Sequence, residues 1–265
     1  MTAPVTPRPS ATIVVARDGA DGPEVLLVRR RAGDAFGDSY AFPGGVVDHD
    51  ESNAHIACEG LSGEDANEIL GVDNGLDYYS AGIRELFEET GILLARDANG
   101  DWTTSDSAKS SERQGVDKGE LAWPEFLRRR GLCMAGDALH YFSFWETPRI
   151  QPKRWQTRFF LAELPPGQSA QHDGREVTDS RWLRPADAVA LGKSGDLDMP
   201  FPTMRTLREL KPFDSVGALM DWAAERRLQG ISKIRPAMTR VDGKTKILVP
   251  GDHGYKEADE QWQTN

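Results

Sequence analysis

The stretch Arg84-Glu85-Leu86-Phe87-Glu88-Glu89-Thr90-Gly91-Ile92 places three carboxylates on one side of a helix that its spacing predicts. Glu85, Glu88 and Glu89 stand at i, i+3 and i+4 and project together, while Ile83, Leu86 and Phe87 form an apolar face turned away from them. Carboxylates so crowded repel one another unless positive charge sits among them, and Arg84 alone cannot neutralise three. A hard divalent cation that prefers oxygen ligands, Mg²⁺ or Mn²⁺, is the natural partner. A solvated acidic helix face is the ordinary explanation of such a cluster. The flanking sequence decides between the two.

Upstream lies Ala41-Phe42-Pro43-Gly44-Gly45-Val46-Val47-Asp48-His49-Asp50-Glu51. Together the two stretches resemble the Nudix box of the nucleoside-diphosphate-X hydrolases. That pattern reads Gly, five residues, Glu, seven residues, then Arg-Glu, an aliphatic residue, any residue, Glu-Glu, any residue, Gly, aliphatic. Gly45 and Glu51 have the required spacing, and Arg84 to Ile92 match every fixed position of the second half. Residues 52–83 fill the gap between them, an insertion of about twenty-five residues. A loop can lengthen there at modest cost, because closure entropy grows only logarithmically with length. Gly91 stands where a left-handed C-cap would end the helix.

A long insert at this place is a feature of one Nudix subgroup, and the chain resembles that subgroup, the peroxisomal-type coenzyme A diphosphatases and their bacterial relatives. The likeness extends to the approach from Phe36 to Asp48, to Trp145-Glu146-Thr147-Pro148, and to the run from Arg154 to Phe160, covering roughly residues 10–212. The resemblance implies an α/β fold, the Nudix α/β/α sandwich with a mixed sheet. It also implies Glu85, Glu88 and Glu89 as metal ligands, with the Gly44 backbone carbonyl beside them, Arg84 orienting the glutamates, and Glu85, Glu88 or Glu51 accepting the proton of the attacking water. The implied reaction is metal-dependent hydrolysis of the diphosphate of coenzyme A or an acyl derivative. The rival substrates are ADP-ribose, NADH or a nucleotide sugar, since the box handles only the shared diphosphate and the insert and loops would set the leaving groups. A non-catalytic Nudix ligand sensor is the reading from another class. Loss of box glutamates would be expected of it, and this chain keeps them all.

Composition bounds the rest. At 265 residues the chain can form one large domain, and 38% apolar with 28% charged residues suits a globular protein. A net charge of −10 argues against a general nucleic-acid surface, so an anionic small-molecule substrate must be received by metal ions and local cations. Cys58 and Cys133 are too few for a disulfide framework, and His55 with Cys58 lacks the second pair that a zinc site needs. No run approaches a membrane span, the first ten residues lack a signal-like apolar segment, and Gln263-Thr264-Asn265 is not a peroxisomal tripeptide. A cytoplasmic enzyme with no nucleic-acid or membrane partner is expected.

Along the chain, residues 11–16 and 25–29 read as strands of a hairpin, and 64–70 as a short helical piece. The catalytic helix is expected to begin near residues 77–80. Residues 95–119 are polar and read as a mobile loop. Residues 124–130 predict a helix with Pro in its first turn, 139–146, 156–164 and 177–183 strands, and 185–191, 202–210 and 215–227 helices. Val241-Asp242-Gly243-Lys244 signals a tight hairpin. The expected division is a Nudix domain over 10–212 and an extension over 213–265, a helix and hairpin that pack on the domain or make a homodimer.

Further site candidates lie outside the box. Glu176, in a polar loop, is a candidate fourth metal carboxylate, and a surface charge is the plainer reading. Gly45 lets backbone approach a substrate. Arg29, Arg30 and Arg31 end a strand before the box and are candidates to grip phosphates, with Arg29 and Arg31 favoured. The alternative is a solvated cluster that guards a strand edge. Arg154 and Arg158 form a second basic group, and alternation puts Arg158 and Phe159 on opposite sheet faces. Trp145 and Trp155 are candidates to stack on adenine, although core packing is the commoner fate of tryptophan.

Overall fold

Strand β1 (Arg8–Gly19) turns into β2 (Gly22–Arg30), with Gly19 opposite Gly22 in an antiparallel ladder. A computed structural model describes this chain over residues 5–31, 37–104, 110–172, 174–241 and 243–260. Phe36, Asp242 and Gln263-Thr264-Asn265, named above, lie outside these residues. After β2 come the short β3 (Tyr40–Ala41) and β4 (Gly44–Val46), a 3₁₀ helix Glu51–Ala57 and β5 (Cys58–Glu59). Two helices follow, α1 (Gly63–Leu70) and α2 (Gly75–Thr90), and then β6 (Ala95–Arg96). Next are α3 (Ser110–Asp117), α4 (Trp123–Arg130) and β7 (Cys133–Ala135). The sheet resumes with β8 (His140–Glu146), β9 (Trp155–Glu163) and β10 (Val177–Leu183). The last elements are α5 (Pro185–Ser194), α6 (Phe201–Leu210), α7 (Val216–Leu228), β11 (Lys233–Ile234), the hairpin β12 (Ala237–Val241) and β13 (Lys244–Leu248), and α8 (Tyr255–Glu260).

The main sheet runs β10-β2-β1-β9-β8-β11, with β3 beside β2 and β4 beside β1. It is mixed, because β1 with β9 and β8 with β11 are parallel while its other pairs are antiparallel. Alternation along β1 sends Ala11, Ile13 and Val15 into a core under α2 and α4, and Val14 and Ala16 into a second core under α5, α6 and α7. A sheet covered on both faces is the expected α/β/α sandwich. No helix among the described residues is long and apolar enough to cross a membrane.

The neighbour of β1 changes partway along the strand. Its first half pairs with β4, through Ser10–Val46 and Thr12–Gly44, whereas its second half pairs with β2. The chain that carries Gly44 therefore enters the sheet beside the end of β2, so Arg30 reaches the Gly44 carbonyl.

Several expectations are modified. The helix α2 begins at Gly75, two residues before the expected start, so the last part of the insert is helix. Ala54, Ala66, Leu70, Leu76 and Tyr78 of the insert are all buried in the first core. Residues 95–119 are not one mobile loop: α3 buries Val116, and Gln168 fixes the preceding turn by accepting from Leu93 N–H and donating to the Thr103 carbonyl, at 2.8 and 2.9 Å. The second core runs past residue 212, because Val216, Leu219 and Ala223 of α7 belong to it. Only the segment from β12 onward has a separate small cluster, of Ala237, Leu248 and Ala258.

Candidate active site

The two halves of the box meet although the insert separates them. Glu51, on the 3₁₀ helix, is 3% exposed, and one of its oxygens lies 2.8 Å from Arg84 Nη2 and accepts from Nε at 2.9 Å. Its other oxygen accepts from the Ser80 hydroxyl. Burial pushes the Glu51 carboxyl above its usual range, and the Arg84 charge and Ser80 hydrogen bond only partly offset this. Both Glu51 oxygens are thus engaged on Arg84 and Ser80, away from solvent.

Arg84 is the hub. Its Nη1 lies 3.0 Å from Glu85 Oε1 and 3.1 Å from Glu88 Oε2, and its Nη2 donates to the Val46 carbonyl at 3.1 Å. Burial opposes its charge, but the three glutamates outweigh that and hold it firmly protonated. A planar guanidinium suits this work because its N–H groups diverge in a fixed fork.

Glu89 faces the other way and is 2% exposed. Its Oε2 accepts from the Gly44 N–H at 3.1 Å. Its Oε1 has Arg30 Nη2 at 3.0 Å, out of line for a hydrogen bond, so this buried oxygen has an ion-pair contact and no hydrogen bond. Burial pushes Glu89 up despite Arg30, with the charges of Glu85 and Glu176 adding to the shift. Burial likewise pushes Glu88 up to about 8, against the pull of Arg84.

Both glycines are dictated by contact. A Cβ on Gly45 would lie 2.2 Å from the Glu85 carboxyl carbon, and one on Gly44, at φ +150°, would lie 2.3 Å from the Ala11 carbonyl oxygen. Gly91, at φ +74°, closes α2 with its N–H on the Phe87 carbonyl.

The outer candidates fare differently. Arg29 pairs with Asp38 and Arg31 is exposed with its N–H on the Glu176 carbonyl, so it is Arg30 that turns toward the box. Alternation along β2 is the signal that could have separated them. Glu176 is exposed at the start of β10, near enough for its charge to act on Glu89. Arg154 is not available to a substrate: it is buried against Glu146 at 2.8 Å and donates to the carbonyls of Thr147 and Val5. Arg158 is buried beside Tyr78 and Phe144, with Nη2 donating to the Leu70 carbonyl, and not beside the box glutamates. Trp145 packs edge-on against Phe201 in the second core, on the face away from α2, and alternation along β9 sets Trp155 on that face as well. Ser80 and Arg113, whose Nε donates to the Glu88 carbonyl at 2.9 Å, are parts of the site that no motif marked.

Among the described residues, no three His, Cys, Asp or Glu side chains gather into a metal cage. Arg84 and Arg30 stand between the carboxylates, and the Gly44 carbonyl accepts from Arg30. Even so, two guanidinium groups face the carboxylates of Glu51, Glu85, Glu88 and Glu89, and Asp48 is a further one 3.3 Å from Arg84. The excess of carboxylates over guanidinium groups and the Glu89 oxygen without a hydrogen bond make an all-oxygen donor set that fits a hard divalent cation.

Acyl-coenzyme A diphosphatase NUDT19 of Xenopus laevis is 28% identical across 88% of this chain and 72% of its own length. The protein of the same name from Homo sapiens is 29% identical across 66% of this chain, which spans half of that relative. The crystal structure of a NUDIX hydrolase from Alicyclobacillus acidocaldarius superposes with a TM-score of 0.70 at 28% identity, covering 82% of this chain and 96% of that one. A family model described as the NUDT19 Nudix domain matches residues 60–210, which include the second half of the box and begin after the first. The chain therefore belongs to the NUDT19 Nudix domain family.

Proposed function

We propose that this protein is a divalent-metal-dependent diphosphatase that hydrolyses coenzyme A or acyl-coenzyme A to 3′,5′-ADP and (acyl-)phosphopantetheine. The observation that carries this reading is the reassembly of the box across its insert, with Glu51 on Arg84 and Arg84 on Glu85 and Glu88. The coenzyme A part rests on membership of the NUDT19 Nudix domain family and on relatives named acyl-coenzyme A diphosphatases.

Glu85, Glu88 and Glu89 would hold Mg²⁺ or Mn²⁺, with Glu176 the candidate to complete the set. When bound, the cation would neutralise the diphosphate and make water a better nucleophile. The chain's own groups do the rest. Glu51 and Ser80 fix Arg84, and Arg84 holds Glu85 and Glu88 in register. Glu85 or Glu88 accepts the water proton, since Glu51 is committed on both oxygens. Arg30, with one face on Glu89 and the Gly44 carbonyl, is the cation nearest to where phosphate oxygens would enter. The proposal includes a cytoplasmic location, checked by fractionation, and leaves a homodimer to be tested by light scattering.

The test is a screen with Mg²⁺ and Mn²⁺ against coenzyme A, acetyl-coenzyme A, NADH, ADP-ribose and UDP-glucose, with products identified by mass. Preferential cleavage of the two coenzyme A substrates to 3′,5′-ADP is expected. Preference for ADP-ribose, NADH or the nucleotide sugar would transfer the chain to the rival substrate class.

A further inference from the structure

A cavity of about 880 Å³ opens between the C-terminal ends of α1 and α7 and the strands β8, β9 and β11, and none of its lining residues belongs to the box. About half of its wall is apolar, with Ile69, Leu70, Tyr141, Phe144 and Ile231 among the lining residues and Leu228, 81% exposed, at the rim. Arg158 lines it and is itself only 4% exposed. One guanidinium nitrogen donates to the Leu70 carbonyl at 3.3 Å, while Nε and Nη1 are buried with no hydrogen-bond partner. The Phe144 ring centroid lies 3.6 Å from its Cζ and that of Tyr78 5.1 Å, so aromatic faces hold the cation without neutralising it.

The other charges of the cavity are paired or exposed. Lys233 is 2.8 Å from Glu146. Arg227 is exposed and shares the lining with the exposed carboxylates Asp65 and Glu68. Arg158 thus carries the one buried charge with no ion-pair partner among the described residues. A buried guanidinium with two unpartnered nitrogens asks for an oxyanion, and the apolar half of the wall asks for a hydrocarbon body beside it.

We infer that this cavity binds a monoanionic amphiphile, a medium-chain aliphatic carboxylate being the simplest form, with the carboxylate on Arg158 and the chain against Ile69, Phe144 and Ile231. A dianion such as inorganic phosphate matches the single free charge less well and has nothing to place against the walls. The site is independent of the diphosphatase reading, as no box residue takes part.

Titration of the full chain in EDTA by calorimetry, with no diphosphate substrate present, tests this. Octanoate should bind at least tenfold more tightly than octan-1-ol or inorganic phosphate and should raise Tm. Arg158→Met should abolish the preference for octanoate over octan-1-ol, and Ile231→Trp, which fills the cavity and leaves Arg158 in place, should weaken both. The inference is overturned if octanoate fails to bind, if octan-1-ol or phosphate binds as well as octanoate, or if Ile231→Trp leaves octanoate binding unchanged. Failure here leaves the hydrolase reading untouched, since the titration contains neither divalent cation nor diphosphate.

Discussion

Glu51 and Arg84, 33 residues apart and on opposite sides of the insert, form a buried ion pair of 2.8 Å. The pair locks one half of the box to the other, and Arg84 passes that constraint on to Glu85 and Glu88. Glu51→Gln should therefore lower kcat by about 10–100-fold, the range for groups that orient metal ligands, with KM little changed. Circular dichroism should show the fold intact, and Mn²⁺ affinity should fall in step with kcat. A lost activity with Mn²⁺ affinity unaltered would instead make Glu51 the base.

Glu88→Gln separates function from stability. Burial already penalises the charged carboxylate, and Glu85 beside it adds repulsion. Arg84 would still keep Glu51 and Glu85 as partners. In EDTA the variant should match or exceed the wild-type Tm, as removal of unfavourable site charge commonly does. In Mn²⁺ it should lose more than the 10–100-fold expected of an orienting residue, since an oxygen donor itself is gone. Paired thermal melts and diphosphatase assays read both effects, and a large Tm drop in EDTA would contradict the charge argument.

The glycine pair gives a sharper contrast, because the two clashes differ in what must move. At Gly45 the added Cβ meets the end of a flexible glutamate, at 2.2 Å from its carboxyl carbon. Gly45→Ala should thus fold with a stability loss of about 1 kcal/mol and still lose activity by at least tenfold through displaced Glu85. At Gly44 the Cβ meets the Ala11 carbonyl and the Thr12 Cα, which are backbone of the central strand. Gly44→Ala should cost about 3 kcal/mol or more in denaturant unfolding. Equal stability losses for the two would show that Glu85 is not free to yield.

Much of this site was legible in the sequence because a helix reports its faces directly. The i, i+3, i+4 spacing brought out Glu85, Glu88 and Glu89, although Glu85 and Glu88 turn to Arg84 while Glu89 turns to Arg30 and Gly44, and Gly91 marked the stop. The family pattern tied Glu51 to Arg84 across the insert. What the sequence hid was partner choice. Arg154 and Arg158 look like a basic patch, but Arg154 answers Glu146, eight residues earlier across the turn from β8 to β9, and Arg158 lies between aromatic rings. Glu89 selected Arg30 over Arg29 and Arg31 through strand alternation at a point where β1 changes neighbour. The insert read as a loop able to set specificity because its apolar residues are spread among glycines and acids. Folded, Leu70, Leu76 and Tyr78 are core, so excision of residues 54–78 should unfold the protein rather than only change its substrates.

The remaining prediction concerns acid. Glu146 is buried beneath Arg154, Lys233 and Arg235, at 2.8, 2.8 and 3.2 Å, and joins β8 to the segment that follows α7. Burial alone would push its carboxyl up, but hydrogen bonds from Lys233, Gln156 and Arg235 outweigh burial and hold it at about 2. Since the folded pKa lies below the ordinary value of 4.5, the stabilisation is complete above about pH 4.5 and is lost as pH falls toward 2. Glu146→Gln should cost about 3 kcal/mol at pH 7, because it leaves the buried Arg154 and its two neighbouring cations without their common counter-charge. The same variant should flatten the slope of stability against pH between 4.5 and 2, where wild-type stability declines. Urea unfolding at half-unit pH steps would show both, and a variant that kept the wild-type slope would place the acid sensitivity in other carboxylates.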